Sequence, residues 1–513
     1  MSRLAWCLLL IAIGCSAPEG SDDGAGSSTG AEGEVRELQW GPCPVGFEAE
    51  CADLAVPIAR DDPDSVVVGI QVSRRPAHEG MTAAQLWLVQ GGPGGSADVF
   101  STSGTIAAFA EALPDTDIYT IEHRGVGESA ALGCPAQQSV DSPGGASIVG
   151  EEVSDCAAFI DEAAGGALDQ FSTTAAALDL HEALDAARED GTPQIVYGLS
   201  YGSYVVLRFL QMFPDRLDAV VLDSVSVPGK SFADTDLQPD VVAMELAARC
   251  EADPVCGDRM GPDPWATTVD VVAMLEAGHC EDAGLVGGSV PLAFSQLLAD
   301  VELRTAVFPL LHRLQRCEDD DIAAVQHFSG YVSTRGPERP PDLPNRFNSL
   351  LQVNVAVVEF WADAPSASAL LEACDEAVFC PGISRTYLPF LEDWPRYDEP
   401  LRGDWPDIDV PLLAMNGTLD PQTPIASASS IREHLDGLTQ SFVEVPDAPH
   451  FIVNTTPVDD SGAPTCGVQM VRDFVRDPQA PIATGCLEKL VPLDLAGTPE
   501  DAMRYFGTES FWE

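Results

Sequence analysis

The sequence predicts an α/β protein whose mostly parallel central sheet is covered by helices and interrupted by a helical insertion. Three observations predict it. Short apolar runs alternate with helical stretches over residues 37–228. Over 229–405 the strand signals fade and the apolar spacing becomes helical. From 406 to 513 the strand–helix rhythm returns. Such alternation is the signature of βαβ units, which build parallel sheets with helices on both faces. The length of 513 residues, 45% of them hydrophobic, suits one large domain with an insertion, or two or three domains.

The elements follow in chain order. Residues 66–72 are β-branched and strand-like. The apolar run 85–89 stops at Gly91-Gly92-Pro93-Gly94-Gly95, and the run 117–121 ends before Arg124-Gly125. Residues 172–188 read as a helix, with Ser172 or Thr173 as cap and alanine and leucine inside. A strand at 194–197, a helix at 201–213 and a strand at 217–222 come next. In the insertion, helical spacing is clear at 241–248, 268–277, 293–304 and 350–362, and prolines cluster at 336–344. Beyond it, 410–415 and 441–445 read as strands, and 425–435 and 467–475 as helices.

Residues 1–15 read as an export signal. Arg3 supplies a positive charge, and the apolar run 4–13 is too short to span a bilayer. It ends in Ala12-Ile13-Gly14-Cys15, which resembles a bacterial lipobox, except that Ala12 replaces the usual leucine. On that reading Cys15 is lipidated and becomes the new N-terminus; otherwise the signal is a plain secretory one. Residues 16–36, rich in Gly, Ser, Asp and Glu, read as a flexible tether.

The cysteines agree with export. Of the 14, removing Cys7 and Cys15 leaves an even set in neighbouring couples: Cys43/Cys51, Cys134/Cys156, Cys250/Cys256, Cys280/Cys317, Cys374/Cys380 and Cys466/Cys486. None has CxxC spacing, which argues against zinc. Local disulfides in an oxidising compartment are the expected state, although spacing alone does not fix connectivity.

Charge restricts the partners. Asp and Glu number 81 against 26 Lys and Arg, a formal net charge of −55, and the only lysines are Lys230 and Lys489. Such a surface repels nucleic acid and anionic lipid. It serves either solubility, as in a saline habitat, or attraction of cationic substrates such as peptides with a free amino terminus.

The chemistry centres on Gly198-Leu199-Ser200-Tyr201-Gly202. Between a strand and a helix, this GxSxG pattern forms a tight turn that exposes the serine and requires small flanking residues. The Tyr201 amide points at the same spot, and the backbone of Gly91 and Gly92, after an earlier strand, can supply the second oxyanion donor. The glycine run matches neither P-loop nor dinucleotide spacing. The base must follow Ser200 and sit at a strand end. His78, His123 and His181 precede the serine. His279, His312 and His327 fall in the insertion, and His434 falls in a helix beside Arg432 and Glu433. His450, in the loop after the last strand, is left. Asp420, directly after the 412–415 strand segment, is the expected orienting acid. Asp223 is the alternative, with the turn into the insertion as its other role.

These motifs resemble the secreted tripeptidyl aminopeptidases and proline iminopeptidase-like serine peptidases of bacteria, within the α/β-hydrolase superfamily. The resemblance runs from Trp40-x-x-Cys43, Cys51 and Val56-Pro57 through Gly91-Gly92-Pro93-Gly94-Gly95, Arg124-Gly125-Val126-Gly127-Glu128-Ser129 and Thr173-Thr174-x-Ala176-Ala177-x-Asp179-Leu180. It continues with the serine motif, Val221-Leu222-Asp223, Asn416-Gly417-x-x-Asp420-x-x-Thr423-Pro424, His450 and the Cys466…Cys486 segment. It implies an α/β-hydrolase fold with a mostly parallel central sheet and a helical cap insertion. Two departures stand out: Gln90 where related enzymes often carry histidine, and Glu122-His123 where Asp-Pro or Asp-Gln is usual.

The resulting expectation is an exported serine exopeptidase that needs no metal or organic cofactor. It would release short N-terminal peptides or single residues, with Ser200, Asp420 and His450 as triad and the Tyr201, Gly91 and Gly92 amides as oxyanion hole. Its partners would be peptides with a free N-terminus, not nucleic acid, and it would meet a membrane only through the lipid on Cys15. The alternatives are a carboxylesterase or amidase of the same fold, or a non-catalytic surface binding protein.

Overall fold

A computed structural model describes residues 37–43, 49–78, 82–145, 147–285, 289–335, 347–459 and 462–513. The expected signal, the tether and Cys15 lie outside the described residues. No helix among the described residues is long and apolar enough to cross a membrane.

Nine strands form one sheet: β1 (Gly41–Pro42), β2 (Glu50–Pro57), β3 (Val67–Arg75), β4 (Ala84–Val89), β5 (Thr116–Ile121), β6 (Gln194–Leu199), β7 (Ala219–Asp223), β8 (Leu412–Gly417) and β9 (Gln440–Val445). Their order is β1-β2-β3-β5-β4-β6-β7-β8-β9. The pairs β1/β2, β2/β3 and β3/β5 are antiparallel, and all others are parallel. Burial explains which strands were legible. Every residue of β4, β5, β6, β7 and β8 is buried, giving the continuous apolar runs of a sheet covered on both faces. β2 alternates instead between buried and open positions, and its alternation of Ala52, Leu54 and Val56 is the signal by which it could have been found.

The sheet is packed on both faces. Trp87, Val89, Val196, Val220 and Leu412 meet Ala177 and Leu180 of the Thr173–Ala186 helix and the apolar side of the Tyr201–Met212 helix. Leu86, Leu88, Ile195, Val221 and Leu413, at the intervening positions, meet Phe100, Phe109 and the Cys466–Arg476 helix. The motif residues Arg124 and Asp179 turn out to form one buried ion pair on the first face, bidentate at 2.6 Å in both arms. Arg124 also donates to the carbonyls of Ile58 and Gln170. That pair welds the β5 exit to the Thr173–Ala186 helix.

Between β7 and β8 the described chain is helical, from Phe232–Leu237 to Ile383–Asp393. It packs in two parts. Helices Gln238–Ala252 through Asp319–Thr334 build their own core around Leu246, Val271, Phe294, Phe308 and Phe328. Leu350, Trp361, Tyr387 and Trp394 join the main core instead. The end of the chain departs from expectation: Leu495, Tyr505, Phe506 and Trp512 belong to the insertion's core, not to the sheet. The expected 425–435 helix is also shorter, an α-helix at Ile425–Ala428 continued by a 3-10 stretch at Ser429–His434.

All six cysteine couples form disulfides: Cys43–Cys51, Cys134–Cys156, Cys250–Cys256, Cys280–Cys317, Cys374–Cys380 and Cys466–Cys486.

Candidate active site

The strand register lines up the functional positions. Val89 pairs with Gly198, Leu199 with Asp223, Asp223 with Met415, and Gly417 with Val445. The segments that follow these residues therefore leave the sheet along one carboxyl edge, where open α/β sheets bind ligands.

Ser200 sits on the turn between β6 and the Tyr201–Met212 helix, with φ 57° and ψ −124°. That strained conformation is what a sharp strand-to-helix elbow imposes. The flanking glycines are sterically required. A Cβ on Gly198 would come within 2.6 Å of the Gly202 carbonyl oxygen, and one on Gly202 within 2.1 Å of the Val89 carbonyl oxygen. Tyr201 opens the helix, so its amide has no intrahelical acceptor. Its ring is buried, with the hydroxyl 2.9 Å from Thr173 Oγ1.

Gly91 lies directly against the serine: a Cβ there would stand 2.6 Å from Ser200 Cβ and 3.1 Å from Oγ. Gly92 and Gly94 have φ of 120° and 88°, values open to glycine. Behind this loop stand Glu122 and His123, two of the residues that depart from the resembled pattern. His123 Nε2–H donates to the Gln90 carbonyl at 2.6 Å, and burial lowers the imidazole's pKa. The Glu122 carboxylate accepts from Ser96 Oγ at 3.1 Å and from the Ala97 amide at 3.2 Å, and burial pushes its pKa up to about 8. Both thus buttress the glycine loop.

Asp420 and His450 are in direct contact, with Nδ1 2.8 Å from Oδ2. The Asp420 turn holds its carboxylate firmly: Oδ1 accepts the amides of Gln422 and Thr423 at 2.8 and 2.9 Å, and Oδ2 accepts Thr423 Oγ1 at 2.6 Å. Burial alone would raise its pKa, but the His450 charge and these hydrogen bonds outweigh burial and hold it below the ordinary value. With Nδ1–H given to Asp420, Nε2 is left as the ring's acceptor. Among the described residues, neither Nε2 nor Ser200 Oγ makes a hydrogen bond. The Asp420 and His450 loops interlock, since a Cβ on Gly417 would lie 2.1 Å from the Ala448 carbonyl oxygen.

Asp223 does not pair with His450. Its carboxylate accepts the Ile452 and Val453 amides at 2.8 and 3.0 Å, Tyr197 Oη at 2.7 Å and Ser224 Oγ at 2.9 Å. Its work is therefore to anchor the segment just after His450. The Ser200 amide donates to the Asp223 carbonyl at 2.9 Å, so one residue links the serine turn to the histidine loop. Sequence reasoning passed over Thr423 as a support of the acid, although a Thr three residues after a turn Asp is a recognisable turn signal. It also passed over Asp447, Arg249, Arg304 and Asn348, whose contacts are long-range.

One cluster has metal-like composition. Asp236, Cys374 and Cys380 offer ligand atoms within 4.8 Å of one another. Both cysteines are in a disulfide, and Asp236 accepts the Ile383 and Ser384 amides at 2.7 and 2.9 Å, so the donor set does not suit a metal.

The sheet, the elbow and the serine, acid and histidine at its carboxyl edge define an α/β-hydrolase fold, and residues 86–245 match the family model described as the alpha/beta hydrolase fold. Among curated proteins, the chain is similar to the "Serine protease Hip1" of Mycobacterium tuberculosis and of Mycobacterium bovis, 28% identical over 261 residues. That similarity covers 46% of this chain and 48% of the relatives, so the chain spans about half the length of the curated relatives it matches. Among solved structures, a proline iminopeptidase of Mycobacterium smegmatis aligns with a TM-score of 0.37 at 14% identity, over 83% of this chain and 99% of that one. A carboxyl esterase from Bacillus coagulans aligns with 0.35 at 11%, over 84% and 99%. At those scores neither likeness bears on activity.

Proposed function

We propose that the protein is an exported serine exopeptidase. The observation that carries the reading is the Asp420–His450 contact of 2.8 Å on the sheet edge that also bears Ser200 in its strained elbow. His450 Nε2 takes the Ser200 proton as Oγ attacks a peptide carbonyl, and Asp420 fixes the tautomer and stabilises the imidazolium. The amides of Tyr201 and of Gly91 and Gly92 receive the oxyanion. His450 then protonates the leaving amine, and water releases the acyl group from Ser200.

The motif resemblance and the similarity to a protein named as a serine protease favour peptides over simple esters. Residues 229–405 act as a cap that restricts access to short substrates or chain ends. The six disulfides favour an oxidising compartment outside the cytoplasm, with Cys15 as the lipid anchor of a tethered enzyme.

A peptide-library digest by wild type and Ser200→Ala, read by mass spectrometry, tests the reading. Fragments released only by wild type, all from the N-terminus, are expected. Turnover of acyl esters with intact peptides would make it an esterase. A folded wild type that no fluorophosphonate labels would make it a binding protein.

A further inference from the structure

We propose that the insertion positions the catalytic base, with Arg249 and Arg304 as positioning residues that hold the His450 loop through Asp447. This inference rests on the reading of His450 as base.

The loop has conformations to hold. Asp447 and Phe451, on either side of His450, have φ of 51° and 70°, the left-handed region that side chains disfavour. Such backbone persists when its surroundings over-determine it. Asp223 anchors the far side through Ile452 and Val453. The near side is anchored at Asp447, where every polar group is engaged. Its amide donates to Thr418 Oγ1 of the acid turn at 2.9 Å. Its carboxylate accepts Arg249 Nε at 2.6 Å, from the Gln238–Ala252 helix of the insertion. Its carbonyl accepts Arg304 Nη2, from the short 3-10 turn Leu303–Ala306.

Arg304 is 4% exposed, and among the described residues its Nε and Nη1 have no hydrogen-bond partner. A buried guanidinium with one polar anchor is costly for stability alone. The Asp447 carbonyl is thus where its charge acts. The pattern repeats around the site. Lys230, at the start of the insertion, donates to the Gln422 carbonyl in the Asp420 turn. The Asn348 amide donates to the Gly94 carbonyl at 2.7 Å in the glycine loop. The insertion therefore touches the acid, base and glycine loops, reaching a backbone carbonyl in each and the Asp447 carboxylate besides. A shift of the insertion on substrate entry would be transmitted to His450.

The test uses the full chain with Arg249→Met, Arg304→Met and Arg304→Lys. Arg249 is 31% exposed at its side chain, so its variant keeps the proposal testable should the Arg304→Met protein not fold. Three readouts are taken: hydrogen exchange over 446–452, fluorophosphonate labelling rate against pH, and steady-state kinetics on an aminoacyl anilide. The methionine variants should exchange faster over 446–452 with the sheet unchanged. They should also lose about tenfold in labelling rate and kcat with KM little altered, and shift the pH profile of labelling. Arg304→Lys should recover part of the loss. Unchanged exchange over 446–452 overturns the clamp. Faster exchange with unaltered labelling and kcat overturns the clamp's catalytic role and leaves His450 as base standing, whereas full labelling and turnover by His450→Ala would overturn the reading of His450 itself.

Discussion

Asp223 Oδ1 accepts the backbone amide of Ile452 at 2.8 Å, and the Val453 amide reaches Oδ2 at 3.0 Å. The strand adjoining the serine strand thus grips the chain two residues past the histidine. Asp223→Ala would leave two buried amides without an acceptor, at about 1–3 kcal/mol for each. The expected outcome is a lower midpoint in urea and a kcat loss larger than the change in KM. A wild-type kcat in the folded variant would show that this anchor does not govern His450.

In the proposed triad Asp420 holds the imidazole tautomer, so Asp420→Asn should cost on the order of 10⁴ in kcat, as it does for the equivalent aspartate in trypsin, the established example of this effect. The Gln422 and Thr423 amides hold the Asn oxygen, so its NH₂ faces Nδ1, donates to it and imposes the wrong tautomer. A milder loss, near tenfold, would place the orienting role elsewhere.

Gly91→Ala tests the glycine loop where it packs against Ser200. Its Cβ would lie 2.6 Å from Ser200 Cβ, so either the loop or the serine must move. Labelling of Ser200 should slow by more than a hundredfold, the usual scale for loss of one oxyanion donor. Wild-type labelling would mean that the Gly91 backbone does not contribute.

Glu122 gives a pH signature. Burial raises its pKa from 4.5 to about 8. An acid whose folded pKa lies above its unfolded value favours folding fully below the unfolded pKa, and that stability is lost as pH rises through the folded one. The wild type should therefore lose thermal midpoint relative to Glu122→Gln between about pH 4.5 and about pH 8, with a constant gap above. Parallel curves in scanning fluorimetry across that window would refute the assignment.

The Cys280–Cys317 bridge closes a loop of 37 residues inside the insertion's core. Loop-closure entropy assigns it about 4 kcal/mol. The double Cys→Ser variant should unfold the insertion at lower denaturant than the sheet, seen as a split transition. Peptide mapping without reductant should recover all six bridges.

Much of this protein was readable from local pattern. Buried parallel strands write themselves as short apolar runs, which is why 85–89, 117–121 and 194–197 fall inside β4, β5 and β6. The GxSxG elbow is equally local, because a tight turn admits only small neighbours at Gly198 and Gly202. Asp420 and His450 were singled out by chain order and strand ends, and the structure places them in contact at 2.8 Å.

What only the tertiary structure decided are relations between distant segments. Chain position left Asp223 open as an acid; its hydrogen bonds to Ile452 and Val453 show it anchoring the loop beyond His450 instead. Sequence placed the chain end with the sheet, yet Tyr505, Phe506 and Trp512 bury themselves in the insertion. Arg304 reads as an ordinary helix charge until folding brings it to Asp447, 143 residues away. Periodicity and turn chemistry are written in neighbours a few positions apart. The pairing of a buried charge or an aromatic ring depends on which surfaces meet, and the packing of the whole chain decides that.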